Sequence, residues 1–272
     1  MTELKGGEAA MRGTAERLAL LIEEHDLSYP AAAELLVGVG ITLGDLSSAE
    51  ALREKLTSKV IRDIASRFHV SYDWLAGKSN TMTEVGLHTW YKAAHSAANS
   101  LWEAKRSWER VKLLIVTPSE ADLQIKDDGD DHRTLPHIFP VLQKERTLPG
   151  GERFVTYEIW EEGRWSYRRC RDYLKLLFYF AERAGIYLIG KRVSDEEYRQ
   201  LYNGKILPVT VFKSLGHITW HPDDYVPFGN RKPTRDAEEW VSIANSDDYS
   251  SALQHFDEVL KRDRYAARPV DD

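Results

Sequence analysis

Histidines and acids gather late in the chain at a spacing that suits a metal ion. His217, Thr219 and His221 would share one face of a strand, with Asp223 and Asp224 just beyond, and His132 or His137 would complete a ligand set. No His-Glu-x-x-His pair accompanies them, and edge-strand histidines are commonly just half-exposed, so no metal is assigned. A second constellation is basic. Arg164, Arg168, Arg169 and Arg171 lie together in a region rich in Trp and Tyr, a set suited to an anionic ligand. Cys170 sits among them. Neighbouring guanidiniums would lower its thiol pKa, but alternate helix positions point different ways, and a small core residue is the other reading. There is no Gly-rich phosphate loop, no Gly-x-Ser-x-Gly elbow and no motif for a self-cleaving Ser/Lys dyad. The expectation is therefore no catalytic residue, no cofactor and no enzyme.

Composition narrows the class. The chain has 272 residues, of which 42% are hydrophobic and 29% charged, enough apolar surface for a soluble core and long enough to favour two domains. No apolar run reaches the length of a membrane span, and residues 1–11 lack the apolar core of a signal peptide. The single cysteine excludes an intrachain disulfide. A cytoplasmic protein is expected, with no membrane partner. The net charge of −6 argues against non-specific nucleic-acid binding by the whole chain. Its distribution is uneven: residues 1–50 carry three Lys/Arg against nine Asp/Glu, whereas residues 51–80 carry six against three.

These side chains need elements to position them. Residues 14–25 place Leu18, Leu21 and Ile22 on one helical face. Pro30 suits the first turn of a helix over residues 31–37, which Gly38 and Gly40 break. Thr42 caps a third helix, Ser47 with Glu50 makes a capping-box pair, Ile61, Ile64, Ala65 and Phe68 recur at helical spacing, and Ser71 caps a last turn closed by Gly77. Next, Trp90, Ala94, Ala97, Leu101, Ala104, Trp108, Val111 and Ile115 follow a heptad stripe. The stripe predicts a long helix over residues 81–116, pairing with a second copy through Trp90, Ala94, Ala97, Leu101 and Trp108, or packing on its own C-terminal domain. Residues 111–116 also read as a first strand. Beyond residue 117 the pattern is mixed. Strands are predicted at 154–160, 186–189, 209–212 and 217–220, with helices at 167–184, 194–202, 235–244 and 248–265, and a solvated acidic turn at 127–131.

The segment Ile64-Ala65-Ser66-Arg67-Phe68-His69-Val70-Ser71-Tyr72-Asp73-Trp74-Leu75-Ala76-Gly77 resembles the closing part of a lambda-repressor-like (XRE-type) helix-turn-helix domain. Gly40-Ile41-Thr42-Leu43-Gly44-Asp45-Leu46-Ser47-Ser48-Ala49-Glu50 resembles that family's recognition segment, at the family's spacing before Ile64-Ala65. Departures are Leu36 where the family usually has Ala, and about three extra residues after Ser28. The resemblance implies a DNA-binding domain over residues 1–80 with Thr42, Leu43, Asp45 and Ser48 facing bases, and Arg53, Lys55 and Lys59 facing phosphates. The segment offers no Arg, Asn or Gln for bidentate base reading. A rival register uses residues 72–76 as the reader, a helix that Gly77 ends after one turn.

The expected architecture is multidomain α and α/β: an N-terminal all-α helix-turn-helix domain (1–80), a connecting heptad helix (81–116) and a C-terminal mixed α/β domain (117–272). The expected function is a DNA-binding transcriptional regulator acting as a homodimer on a double-stranded operator, its half-sites about 34 Å apart. The C-terminal domain would sense a small-molecule or protein effector, or add a dimer contact. Two alternatives stand beside it: a protein-interaction module, as in an antitoxin or mobile-element accessory factor, and an enzyme tethered to DNA.

Overall fold

The computed structural model describes residues 13–126, 136–214 and 220–266, with side chains through residue 261. Among the described residues the chain is an α/β protein with twelve α-helices and a mixed sheet. No helix there is long and apolar enough to cross a membrane. The chain forms two compact units that interleave along the sequence. One gathers the described residues of 1–85, 143–158 and 196–216, and the other those of 86–142, 159–195 and 217–272.

The first unit opens with six helices: α1 (Thr14–Glu24), α2 (Tyr29–Leu36), α3 (Leu43–Leu46), α4 (Ala49–Lys55), α5 (Ser58–Phe68) and α6 (Tyr72–Leu75). Local capping explains most of their boundaries. Ser28, Thr42, Ser48, Thr57 and Ser71 each accept a hydrogen bond from a backbone N–H one turn into the helix that follows. The cap of α4 is Ser48 rather than the expected Ser47, whose hydroxyl instead donates to Gly44 O at 2.7 Å. Leu18, Leu21, Ile22, Ile64, Phe68 and Trp74 form the core of this bundle. Arg17 is buried beneath it, donating to the carbonyl of Trp74 and, at 3.0 Å, to that of Ser79.

The sheet adds to this unit the end of β2 (His137–Thr147) and most of β3 (Arg153–Ile159). Phe154 of β3 is buried 5.4 Å from Phe68, edge to face. Helices α9 (Asp195–Tyr202) and α10 (Pro208–Ser214) complete the unit, and Thr210 Oγ1 donates to Glu24 Oε2 at 2.7 Å. Residues 209–212, expected as a strand, lie in α10. The short run Val-Thr-Val-Phe fits either period, and Pro208 supplies a helical φ at the first position.

In the second unit, β1 (Arg110–Pro118) pairs in parallel with β5 (Tyr187–Val193), Lys112 opposite Tyr187. The strand order is β3-β2-β1-β5, with β4 (Gly163–Arg164) antiparallel to β2. Val111, Leu113, Ile115 and Leu188 face a core shared with α7 (Ala94–Ser107), α8 (Arg168–Arg183) and α12 (Asp247–Ala266). A 3-10 turn (Pro222–Tyr225) and α11 (Ala237–Ala244) lie on α8. Gly190 bridges to Trp220, whose indole would lie 2.4 Å from a Cβ at that position, so only glycine admits the approach.

The long helix expected over 81–116 does not form as one element. Only residues 94–107 are helical, and the stripe continues into β1, where Val-Lys-Leu-Leu-Ile-Val favours the extended chain. Trp90, Ala94, Ala97 and Leu101 are buried in the unit's own core, and Trp108 packs against it. The stripe therefore packs on its own unit, the second of the two expected arrangements, with Trp108 partly exposed.

Candidate nucleic-acid interface and the buried charge cluster

The turn between α2 and α3 is built from a 3-10 turn (Val37–Val39) and Gly40, whose φ of 83° most side chains avoid. Thr42 and Asp45 then make a reciprocal capping box. Asp45 Oδ2 accepts from the Thr42 N–H at 2.9 Å and from its hydroxyl at 2.7 Å. These bonds hold the Asp45 carboxyl below its ordinary pKa. Helix α3 is one turn long, and a second cap at Ser48 starts α4, so the expected recognition segment is two short helices.

The expected DNA-contact residues keep local company. Thr42 and Leu43 are exposed, the latter 49%. Ser48 caps α4 and donates to Glu50 Oε2 at 3.2 Å. Arg53 pairs with Glu16 at 2.8 Å and Lys59 with Asp63 at 2.6 Å, and Lys55 is exposed. Exposed pairs of this kind are worth at most about 1 kcal/mol, so neither cation is held firmly by its carboxylate. At the start of α2, the Ser28 N–H and hydroxyl donate to the two Glu152 oxygens at 2.9 and 2.5 Å. Gly150 N donates to Glu34 Oε2 at 3.0 Å. The loop between β2 and β3 thus places a carboxylate at the positive end of α2.

In the second unit the four arginines separate into two classes. Arg171 is 2% exposed; it holds both Glu239 oxygens, at 2.9 and 3.0 Å, and donates to the carbonyls of Trp165 and Ser166. Arg168 donates to Asp172 Oδ1 at 2.7 Å. Lys175, fully buried, reaches Glu239 at 2.6 Å and Asp236 at 3.5 Å, and Lys126 also pairs with Asp236. The anion that Arg168 and Arg171 were expected to bind is supplied by the chain itself. Burial pushes the Glu239 carboxyl up, but Arg171 and Lys175 outweigh it and hold the group at about 2. Arg164 lies over the Tyr167 ring at 5.5 Å, and Arg169 is exposed.

Burial dominates at Cys170, raising its thiol to about 11 despite Arg164 and Arg171, so its basic neighbours do not make it a nucleophile. Of the metal-type set, His137 faces Glu162 at 3.3 Å, His221 faces Asp223 at 3.8 Å, and Asp224 is in an ion pair with Arg235 at 3.7 Å. No group of three metal-type ligands occurs among the described residues; His132, His217 and Thr219, like the acidic turn at 127–131, lie outside them.

Comparison with protein-family models, curated proteins and solved structures finds no match to the chain. The assignment of a role therefore rests on the geometry above. Glu239, Asp236 and Lys175 were not anticipated from the sequence. Glu239 lies 68 residues from Arg171, and no local spacing links them.

Proposed function

We propose that residues 14–76 form a helix-turn-helix module that binds double-stranded DNA, and that the protein is a transcription regulator. The observation that carries this reading is the passage from α2 through Gly40, in the left-handed region, to a helix capped by Thr42. It falls in the register that the resemblance to lambda-repressor-like domains assigns to the recognition segment. Arg53, Lys55 and Lys59 are exposed just beyond it. A one-turn reader with no Arg, Asn or Gln leaves base discrimination to Thr42, Leu43 and Ser48, so phosphate contacts carry most of the affinity. A two-fold operator needs two copies, and Trp90, Ala94, Ala97 and Leu101, buried in their own unit, do not supply the contact between them. The second unit is the seat of an effector in this reading.

Removing two phosphate contacts tests it. The double variant Arg53→Ala/Lys59→Ala should bind DNA at least tenfold more weakly, with a log–log salt slope shallower by about 0.9 for each cation lost. A protein-interaction role is the second reading, favoured by exposed Tyr29, Val37 and Leu43 on the same motif. It gains if the double variant keeps its DNA affinity and slope while Leu43→Asp abolishes capture of a partner.

A further inference from the structure

The second unit carries a surface on which tyrosines and cations alternate. Tyr91 and Tyr167 meet edge to face, their ring centres 6.4 Å apart. Tyr173 meets Tyr91 edge-on at 5.6 Å and Tyr249 at 5.5 Å. Lys92 Nζ lies 5.0 Å from the centre of the Tyr91 ring, and the Arg164 guanidinium 5.5 Å from that of Tyr167. Arg169 is exposed in the first turn of α8, the helix that carries Tyr173.

Acids close to this surface are already engaged. Asp172 accepts from Arg168 and from the Tyr249 hydroxyl, Glu239 is held by Arg171 and Lys175, Glu161 accepts from Thr89, and Glu162 faces His137. Lys92 and Arg164 therefore stand over half-buried aromatic rings, with Arg169 exposed on the helix that carries Tyr173, and none of the three is in an ion pair among the described residues. Flat rings beside such cations suit a phosphate joined to a planar base, since each base offers a π-face and each phosphate a charge.

We propose that Lys92, Arg164 and Arg169, with Tyr91, Tyr167 and Tyr173, form a binding site for a nucleotide unit, either free or within a single strand. The proposal stands independently of DNA binding by the helical module, since every residue in it belongs to the other unit. The site selects the phosphate through the cations and the base through the rings, and it performs no covalent step.

The test uses the full chain and fluorescein-labelled oligo(dT), followed by anisotropy. The double variant Lys92→Asn/Arg169→Gln suits the backbone. Lys92 has φ 57°, which Asn tolerates, and Gln is a good helix former at 169. A control, Arg199→Gln/Lys205→Gln, makes the same charge change on exposed residues of the other unit. Expected are at least a tenfold loss of oligo(dT) affinity in the first variant and none in the control. The salt slope should fall by about 0.7 for each cation removed, and melting curves should superpose. Displacement of the oligomer by dTMP identifies a free nucleotide as the source. Displacement only by longer strands identifies a single strand. Equal loss in both double variants, no loss in either, or displacement by inorganic phosphate as readily as by dTMP would overturn the assignment.

Discussion

The His25 imidazole packs edge-on against Phe68 at 5.0 Å and lies 5.7 Å from Phe154, with its Nδ1 2.8 Å from Leu21 O. Burial is the main cause of its depressed pKa, about 4 against 6.5. The unfolded chain then takes up a proton first as pH falls. This contribution to stability is complete above about pH 6.5 and is lost progressively towards pH 4. At pH 5 the loss amounts to at most about 2 kcal/mol. His25→Leu should therefore show a smaller fall in melting temperature between pH 7.5 and pH 5 than the wild-type chain. The same dependence in both would place the acid sensitivity elsewhere. The cluster around Glu239 adds sensitivity only at lower pH, because its carboxyl is held at about 2 and its stabilisation fades below the ordinary carboxylate range.

At the scale of elements, what was legible from sequence is what depends on neighbours along the chain. Thr42 and Ser71 cap the helices they were expected to cap, and Pro30 lies in the first turn of α2, because each acts within four residues. β2 went unrecognised. Its residues Gln-Lys-Glu-Arg-Thr carry no apolar alternation, yet Lys144 and Glu145 are buried, Lys144 against Glu158 and Glu145 near Arg153. Those partners lie on another strand. The heptad stripe misled for the opposite reason: a seven-residue period survives the change from α7 to β1, although the backbone does not. One join between elements is especially exacting. Met82 N donates to Gly204 O at 2.6 Å, and Ser71 N to Met82 O at 2.8 Å. Gly204 has φ 64°, and a Cβ there would lie 2.3 Å from the Thr83 carbonyl oxygen. Gly204→Ala should destabilise the protein by more than about 1 kcal/mol, since the strained φ and the collision add. Thermal melting reads this directly; an unchanged midpoint would show that the join yields without cost.

For the whole molecule, a formal charge of −6 means that any attraction to DNA is local. Between residues 51 and 80, Arg62 and Lys78 lie over the Tyr72 ring, and Arg67 donates to Leu35 O at 2.5 Å. Arg53, Lys55 and Lys59 remain as the cations most readily turned to phosphate. Three phosphate contacts on B-DNA correspond to a log–log salt slope of about −2.7 for each bound protomer. The division into units also bears on how the protein is handled. Residues 143–158 and 196–216 belong with the helices of residues 14–76, so the full chain is the object to measure. The most direct test is the anisotropy of labelled DNA from upstream of the protein's own gene, against a scrambled duplex, across a salt series. A preference of roughly a thousandfold or more, with a slope near −2.7 per protomer, is the predicted result. No binding to either duplex at about 50 mM salt, where non-specific attraction is strongest, would contradict a DNA-binding role for the helical module.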